Sequence, residues 1–111
     1  MFRPSGPEPV RDLSAEEVAA ELAADRILLV DVREPRETAV ERIPGSVLLP
    51  LSAFDPADIP DPAGRDVVFS CSSGKRSARA AEIAQAAGLP CRSHLAGGIV
   101  AWKAAGLPTE T

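Results

Sequence analysis

Short apolar runs alternate with amphipathic stretches along this chain, and each switch of period marks an element. "PVRDL", residues 9–13, predicts a short strand. In "SAEEVAAELAA", which follows, Ser14 stands three residues before Glu17. That is the capping-box spacing, and Val18 and Leu22, four apart, share one face, so a helix is predicted here. "RILLVDV", residues 26–32, is a continuous apolar run reaching Asp31, the pattern of a strand buried on both faces. Pro35 suits the first turn of a second helix over "PRETAVER", residues 35–42. Pro44 and Gly45 punctuate it, and "SVLLPL" predicts another strand. Residues 52–65, with Pro56, Pro60 and Pro62, read as a surface loop holding at most one helical turn. "DVVFS", residues 66–70, is the next strand, and "SARAAEIAQAAG", residues 77–88, is a helix stopped by Gly88. "CRSH", residues 91–94, predicts a short strand with Cys91 at its start and His94 at its end. "GIVAWKAAG", residues 98–106, predicts a last helix ended by Gly106 and Pro108.

Strands alternating with helices imply crossover connections, hence an α/β fold with a parallel sheet covered on both faces. At 111 residues the chain has the length of one domain. We expect that domain over residues 9–108, with loose segments at 1–8 and 109–111. No apolar run approaches the roughly 20 residues of a membrane span, and "MFRPSGPEPV" lacks a signal-peptide core. The expectation is a cytoplasmic protein with no membrane partner. A net charge of −4 argues against nucleic acid, whose binding surfaces are usually basic. Cys71 and Cys91 are the two cysteines, too few for a disulfide framework, and with one histidine they show no metal-ligand spacing.

The candidate chemistry lies in "FSCSSGKRSARA". Ligands of open α/β sheets bind beyond the carboxyl ends of the strands, and Cys71 follows the run "VVFS" there. The helix that comes next presents unpaired amides and a positive dipole end. Lys75, Arg76 and Arg79 add positive charge, and Gly74 lets the backbone curl. Ser72, Ser73 and Ser77 leave room and supply hydroxyls. A thiol so placed is driven towards thiolate. The plain alternative is a small core cysteine, which is how Cys91 reads. A nucleotide P-loop fits poorly, because "GKRS" lacks the earlier glycine of GxxxxGK[ST].

"CSSGKRS" resembles the active-site loop of the rhodanese family of sulfurtransferases. "LLVDVREPRE" with "RIPGSVLLPL" resembles the front half of that family, and "LAGGIVAWKAAGLPT" its C-terminal signature. The three stretches run from about residue 28 to 109. The resemblance implies a rhodanese-like fold, a five-stranded, mostly parallel sheet flanked by helices on both faces. It implies that Cys71 carries sulfane sulfur as a persulfide, with no metal and no organic cofactor. Ser72, Ser73, Gly74, Lys75, Arg76 and Ser77 would form the loop around that sulfur. Asp31, Arg33 and Arg79 would support it, and Glu37 would pair with a cation. Gly97, Gly98 and Trp102 would shape and pack the final helix.

The implied partners are small sulfur donors and acceptors: thiosulfate or glutathione persulfide on one side, thiols, sulfite or cyanide on the other. A protein donor or acceptor is the alternative, in a module that carries sulfur only for a partner. A cysteine phosphatase is a further alternative, but such loops hold five residues between Cys and Arg. Here Ser72 to Lys75 make four, and Ser70 stands where those enzymes have histidine. Two departures are visible. Glu41 and Arg42 occupy the places of the family's GH before "IPG", and Ser72 occupies a position that is often basic in members using thiosulfate. No general base for Cys71 is evident in the sequence, and none is needed where the thiolate is already formed.

Overall fold

A computed structural model describes residues 8–111. Its elements, in chain order, are β1 (Arg11–Leu13), α1 (Ala15–Ala23), β2 (Ile27–Asp31), α2 (Pro35–Thr38), β3 (Val47–Leu48), β4 (Asp66–Ser70), α3 (Lys75–Ala86), β5 (Ser93–Leu95) and α4 (Gly98–Ala104). The strands form one sheet in the order β1-β5-β4-β2-β3. Every strand pair is parallel. From β2 the chain moves outward to β3, then returns to β4 and moves the other way to β5. The crevice beyond β2 and β4 is therefore the switch point where such sheets bind ligands.

Alternation along the central strands divides the core into two layers. Leu29 and Val68 face α1 and α4, where Val18, Leu95, Ile99 and Trp102 join them. Leu28, Val30, Val67 and Phe69 face α3, where Ala80, Ala81 and Ala84 allow close approach of helix to sheet. All five residues of β2 are buried, as its unbroken apolar run predicts. Burial of a side chain such as Leu29 contributes about 2 kcal/mol. Ser14 caps α1, its hydroxyl accepting from the Glu17 amide while the Glu17 carboxylate accepts from the Ser14 amide. No helix among the described residues is long and apolar enough to cross a membrane.

Several local expectations change. The second helix is one turn, Pro35–Thr38, not residues 35–42. It buries no residue and Val40 is 69% exposed, so no apolar face sustains a longer helix. Residues 51–58 hold two short 3₁₀ turns, Leu51–Ala53 and Pro56–Asp58, rather than one helical turn. Helix α3 begins at Lys75, two residues before the predicted start, because Gly74 caps it at φ +106°. Cys91 lies outside β5, and His94 is in its middle. The tail expected to be loose is clasped at Glu110. Arg42 and Glu110 exchange both backbone hydrogen bonds, at 2.8 and 2.9 Å, and their side chains pair. Glu41 adds to the clasp by accepting from Lys103 and Thr109. The Glu41–Arg42 departure from the family pattern thus fastens the C-terminal segment. Residues 1–7 of the loose start lie outside the described residues, while Glu8 bonds to Gln85 and pairs with Arg92.

Candidate active site

Strand β4 ends at Ser70, and the next residue, Cys71, turns its side chain under the start of α3. Cys71 is 1% exposed. Its Sγ accepts from the Gly74 amide at 3.1 Å and the Ser77 amide at 3.3 Å, with Ser77 Oγ at 3.5 Å. These amides point inward because Gly74 takes the left-handed conformation, which tips the loop into the first turn of α3. Burial alone pushes the Cys71 thiol up. The Ser77 hydroxyl and the amides of Ser77, Gly74 and Ser73 together outweigh burial and hold it below the ordinary thiol value. Cys91 provides the contrast: it is also buried, no donor compensates, and its thiol is pushed up.

The direction agrees with the sequence reading, but the cause is different. The cations around the loop do not lie on the sulfur. Lys75 is exposed on the first turn of α3, and Arg79 faces Glu82 at 3.6 Å on the solvent side. Arg76 is committed to Glu37 by two hydrogen bonds of 2.6 and 2.9 Å. That pairing, more than anything else around it, holds the Glu37 carboxyl down to about 2. It also fastens α3 to the one-turn helix α2, whose Glu34 in turn accepts from Ser52 Oγ at 2.7 Å.

Asp31 and Arg33 stand at the end of β2 and bond to each other. Arg33 Nη2 lies 2.8 Å from Asp31 Oδ2, both side chains 4% exposed, and Arg33 also donates to the Glu41 carbonyl at 2.9 Å. They brace the turn that carries Glu37 rather than touch Cys71. A buried pair of this kind tolerates no half measures, because removing one partner strands a buried charge.

Two glycines hold the back of the loop. The amide of Ile99 donates to the Cys71 carbonyl at 2.9 Å, and that of Val100 to the Ser72 carbonyl at 3.1 Å. Such closeness requires Gly98, at φ +58°. A Cβ there would lie 2.4 Å from the Cys71 oxygen and 2.5 Å from the Ser72 carbonyl. Gly74 is similarly confined, with Gly97 N 3.1 Å from the place of its Cβ. The first turn of α4 therefore takes the loop carbonyls and leaves the loop amides for the sulfur. Trp102, on the same helix, is core, with its Nε1 donating to the Pro108 carbonyl at 2.8 Å.

One chain of contacts escaped the sequence reading. Ser77 Oγ lies 2.8 Å from His94 Nδ1, and His94 Nε2 lies 2.7 Å from Asp12 Oδ1. Asp12 and His94 are register partners on β1 and β5, which puts the two side chains on the same face. Cys71, Ser77, His94 and Asp12 thus form a continuous line from the buried sulfur to a carboxylate 73% exposed. The sequence placed Cys71 and Ser77 in the loop and His94 on the last strand, and Asp12 is the member of this line that it did not single out.

Comparison with known proteins agrees with this geometry. A sulfurtransferase of Allochromatium vinosum is 37% identical over 100 residues, which cover 89% of this chain and 94% of that protein. An uncharacterized protein of Synechocystis sp. is 45% identical over 85 residues, 77% of this chain, and the matched part is 48% of that relative's length. The chain thus corresponds to about half of that longer relative. Among solved structures, thiosulfate sulfurtransferase of Pseudomonas aeruginosa superposes with a TM-score of 0.79 at 29% identity, over 91% of this chain and 20% of that one. The sequence profile of the Rhodanese-like domain matches residues 14–105, a span that includes the β4–α3 loop and both glycines of α4. On the fold, the loop and that match, this chain belongs to the rhodanese-like domain family.

Proposed function

We propose that this protein is a sulfurtransferase that carries sulfane sulfur on Cys71. The observation that supports the reading is the set of contacts about Sγ: two amides donate to a buried sulfur that also lies 3.5 Å from the Ser77 hydroxyl, and together they hold its thiol low. A thiolate in such a ring attacks the outer sulfur of a donor. With thiosulfate, the S–S bond of the donor breaks and sulfite leaves with the electron pair. With glutathione persulfide, the outer sulfur is taken and glutathione thiolate leaves. Either way the product is Cys71–S–S⁻, whose negative end the inward amides stabilise as an oxyanion hole stabilises an alkoxide. In the second half-reaction a thiolate, sulfite or cyanide attacks the outer sulfur, and Cys71 thiolate is restored. Two half-reactions through a covalent intermediate give ping-pong kinetics.

Loop size favours sulfur over phosphate. The four residues from Ser72 to Lys75 close tightly enough for Gly74 N to lie 3.1 Å from Sγ. Arg76, which would have to face a phosphate, is turned to Glu37. The names of the Allochromatium and Pseudomonas proteins support the same class of reaction. Thiosulfate and glutathione persulfide as donors, and a location in the cytoplasm, are part of this proposal.

Mass spectrometry after exposure to each donor tests it. Wild type and Cys91→Ser should gain one sulfur atom, and Cys71→Ser should gain none and lose turnover. A Cys71→Ser protein that transfers sulfur at near the wild-type rate would overturn the assignment.

A further inference from the structure

One arrangement of protons along the line from Cys71 to Asp12 gives every contact a donor and an acceptor. His94 Nε2 lies 2.7 Å from Asp12 Oδ1, an acceptor, so this nitrogen carries a proton. In a neutral ring Nδ1 is then an acceptor, and Ser77 Oγ, 2.8 Å away, donates to it. Ser77 has a single hydroxyl proton. The Gly74 carbonyl, 3.2 Å from the hydroxyl, already accepts from the Ala78 amide at 3.2 Å; with the proton on the shorter contact to His94, the hydroxyl oxygen is free to accept, and the Cys71 S–H, at 3.5 Å, donates to it. The four groups thus form a wire with one polarity, running from thiol to hydroxyl to imidazole to carboxylate.

We propose that His94 is the proton acceptor for Cys71, reached through Ser77 and oriented by Asp12. The inference rests on reading Cys71 as the sulfur carrier, and it names the base that the sequence does not reveal. The Cys71 S–H bond breaks as its proton passes to Ser77 Oγ. The Ser77 O–H bond to His94 breaks as that proton passes to Nδ1. The result is a thiolate that accepts from the Ser77 hydroxyl, and an imidazolium whose Nδ1–H donates to Ser77 and whose Nε2–H donates to Asp12. Net charge is unchanged, and no further reactant is needed.

A carboxylate lies on one side of the ring and, beyond Ser77, the sulfur on the other. Asp12 from β1 is the carboxylate in contact with it, and Cys71 at the end of β4 becomes the second anion when the proton moves. From α3 the ring meets the Ser77 hydroxyl, which also reaches the Gly74 carbonyl at 3.2 Å. Among the described residues no cationic side chain pairs or hydrogen-bonds with the ring. His94 itself is buried while the Asp12 side chain is 73% exposed, so solvent reaches the outer end of the wire and not the sulfur. Asp12 acts through His94 and is a positioning residue, as is Ser77.

The test is the rate of Cys71 alkylation by iodoacetamide against pH, in a Cys91→Ser background. His94→Gln keeps a side chain that hydrogen-bonds but accepts no proton. It should raise the midpoint by about one pH unit, the low end of the effect of an opposite charge. Asp12→Asn, at an exposed position that folding tolerates, should raise it by a smaller amount. In ¹⁵N spectra, alkylating Cys71 in the Cys91→Ser protein should move the His94 ring signals from the doubly protonated towards the singly protonated pattern. An unchanged midpoint in both variants, or ring signals indifferent to alkylation, would overturn the proposal. Alkylation reads ionisation whether or not Cys71 carries sulfur. Failure here therefore leaves the sulfur-carrier reading to its own Cys71→Ser experiment.

Discussion

Gly98→Ala is the substitution whose consequence follows most directly from the geometry. The added methyl would lie 2.4 Å from the Cys71 oxygen and 2.5 Å from the Ser72 carbonyl carbon and oxygen, all of them backbone atoms. Backbone cannot rotate aside as a flexible side chain does, so the first turn of α4 must retreat from the loop. That retreat breaks the hydrogen bonds from Ile99 N and Val100 N. Each is worth about 1 kcal/mol. Alanine at φ +58° costs a further ~1–2 kcal/mol. Reduced freedom of the unfolded chain returns roughly 0.4–1 kcal/mol. The net loss should be about 2–4 kcal/mol, a large share of the ~5–15 kcal/mol that holds a domain together. For a domain of this size the melting temperature should fall on the order of 10 °C. Gly45→Ala is the control. Gly45 sits at φ +83° with nothing within 4 Å of its Cβ position, so it bears the conformational cost without the collision. Urea denaturation of both variants isolates the close approach, and thiol alkylation against pH should show the Cys71 midpoint rising only in Gly98→Ala. Equal destabilisation by the two substitutions would refute the argument that α4 is pressed against the loop.

Two further outcomes are expected. The Glu37 carboxyl is held down from 4.5 to about 2 by Arg76, so its contribution to stability is complete above about 4.5 and is lost as pH falls through about 2. Glu37→Gln should therefore flatten the dependence of the urea midpoint on pH between those values, and an unaltered slope would exclude the pair as its source. At the loop mouth, Ser72 offers a hydroxyl where a basic side chain would meet the sulfonate of thiosulfate. A charge-assisted hydrogen bond is worth about 1.5–3 kcal/mol, so Ser72→Arg should raise kcat/KM for thiosulfate roughly tenfold to a hundredfold relative to a persulfide. A wild type that already prefers thiosulfate, with a variant that keeps the same ratio, would show that charge at this position does not decide the donor.

How much of this was legible along the chain depended on how local the cause is. The runs over β2 and β4 announce buried strands because burial on both faces leaves no polar period, and the Ser14–Glu17 capping box is complete within four residues. Cys71 was legible because a strand end and a helix start adjoin it in sequence. What lowers its thiol was not. Charges near in sequence suggested the cations, but α3 turns Arg79 to solvent and Glu37 draws Arg76 aside. The partners of Ser77 and His94 lie 17 and 82 residues away, and no period or spacing encodes them. The double glycine of α4 was recognisable as a signature, yet its purpose needs the position of Cys71 in space. The over-long second helix reflects the same limit. Its charged residues suit a helix, but nothing in the local sequence reveals that this stretch has no sheet face to cover.

The tethers from Ile99 and Val100 also set an order of events during synthesis. A chain is made from its N-terminus, and Cys71 emerges before the residues whose amides must hold its own carbonyl and that of Ser72. The sheet's central pair, β2 and β4, is complete by Ser70, well before the residues that fasten the loop are made. Without α4 the carbonyls of Cys71 and Ser72 lose these partners, and the amides of Ser73, Gly74 and Ser77 that hold the thiol low sit on a loop braced from one side. The last helix of the chain thus braces the loop that surrounds the sulfur. The loop is therefore fully fastened only once the final helix has been made.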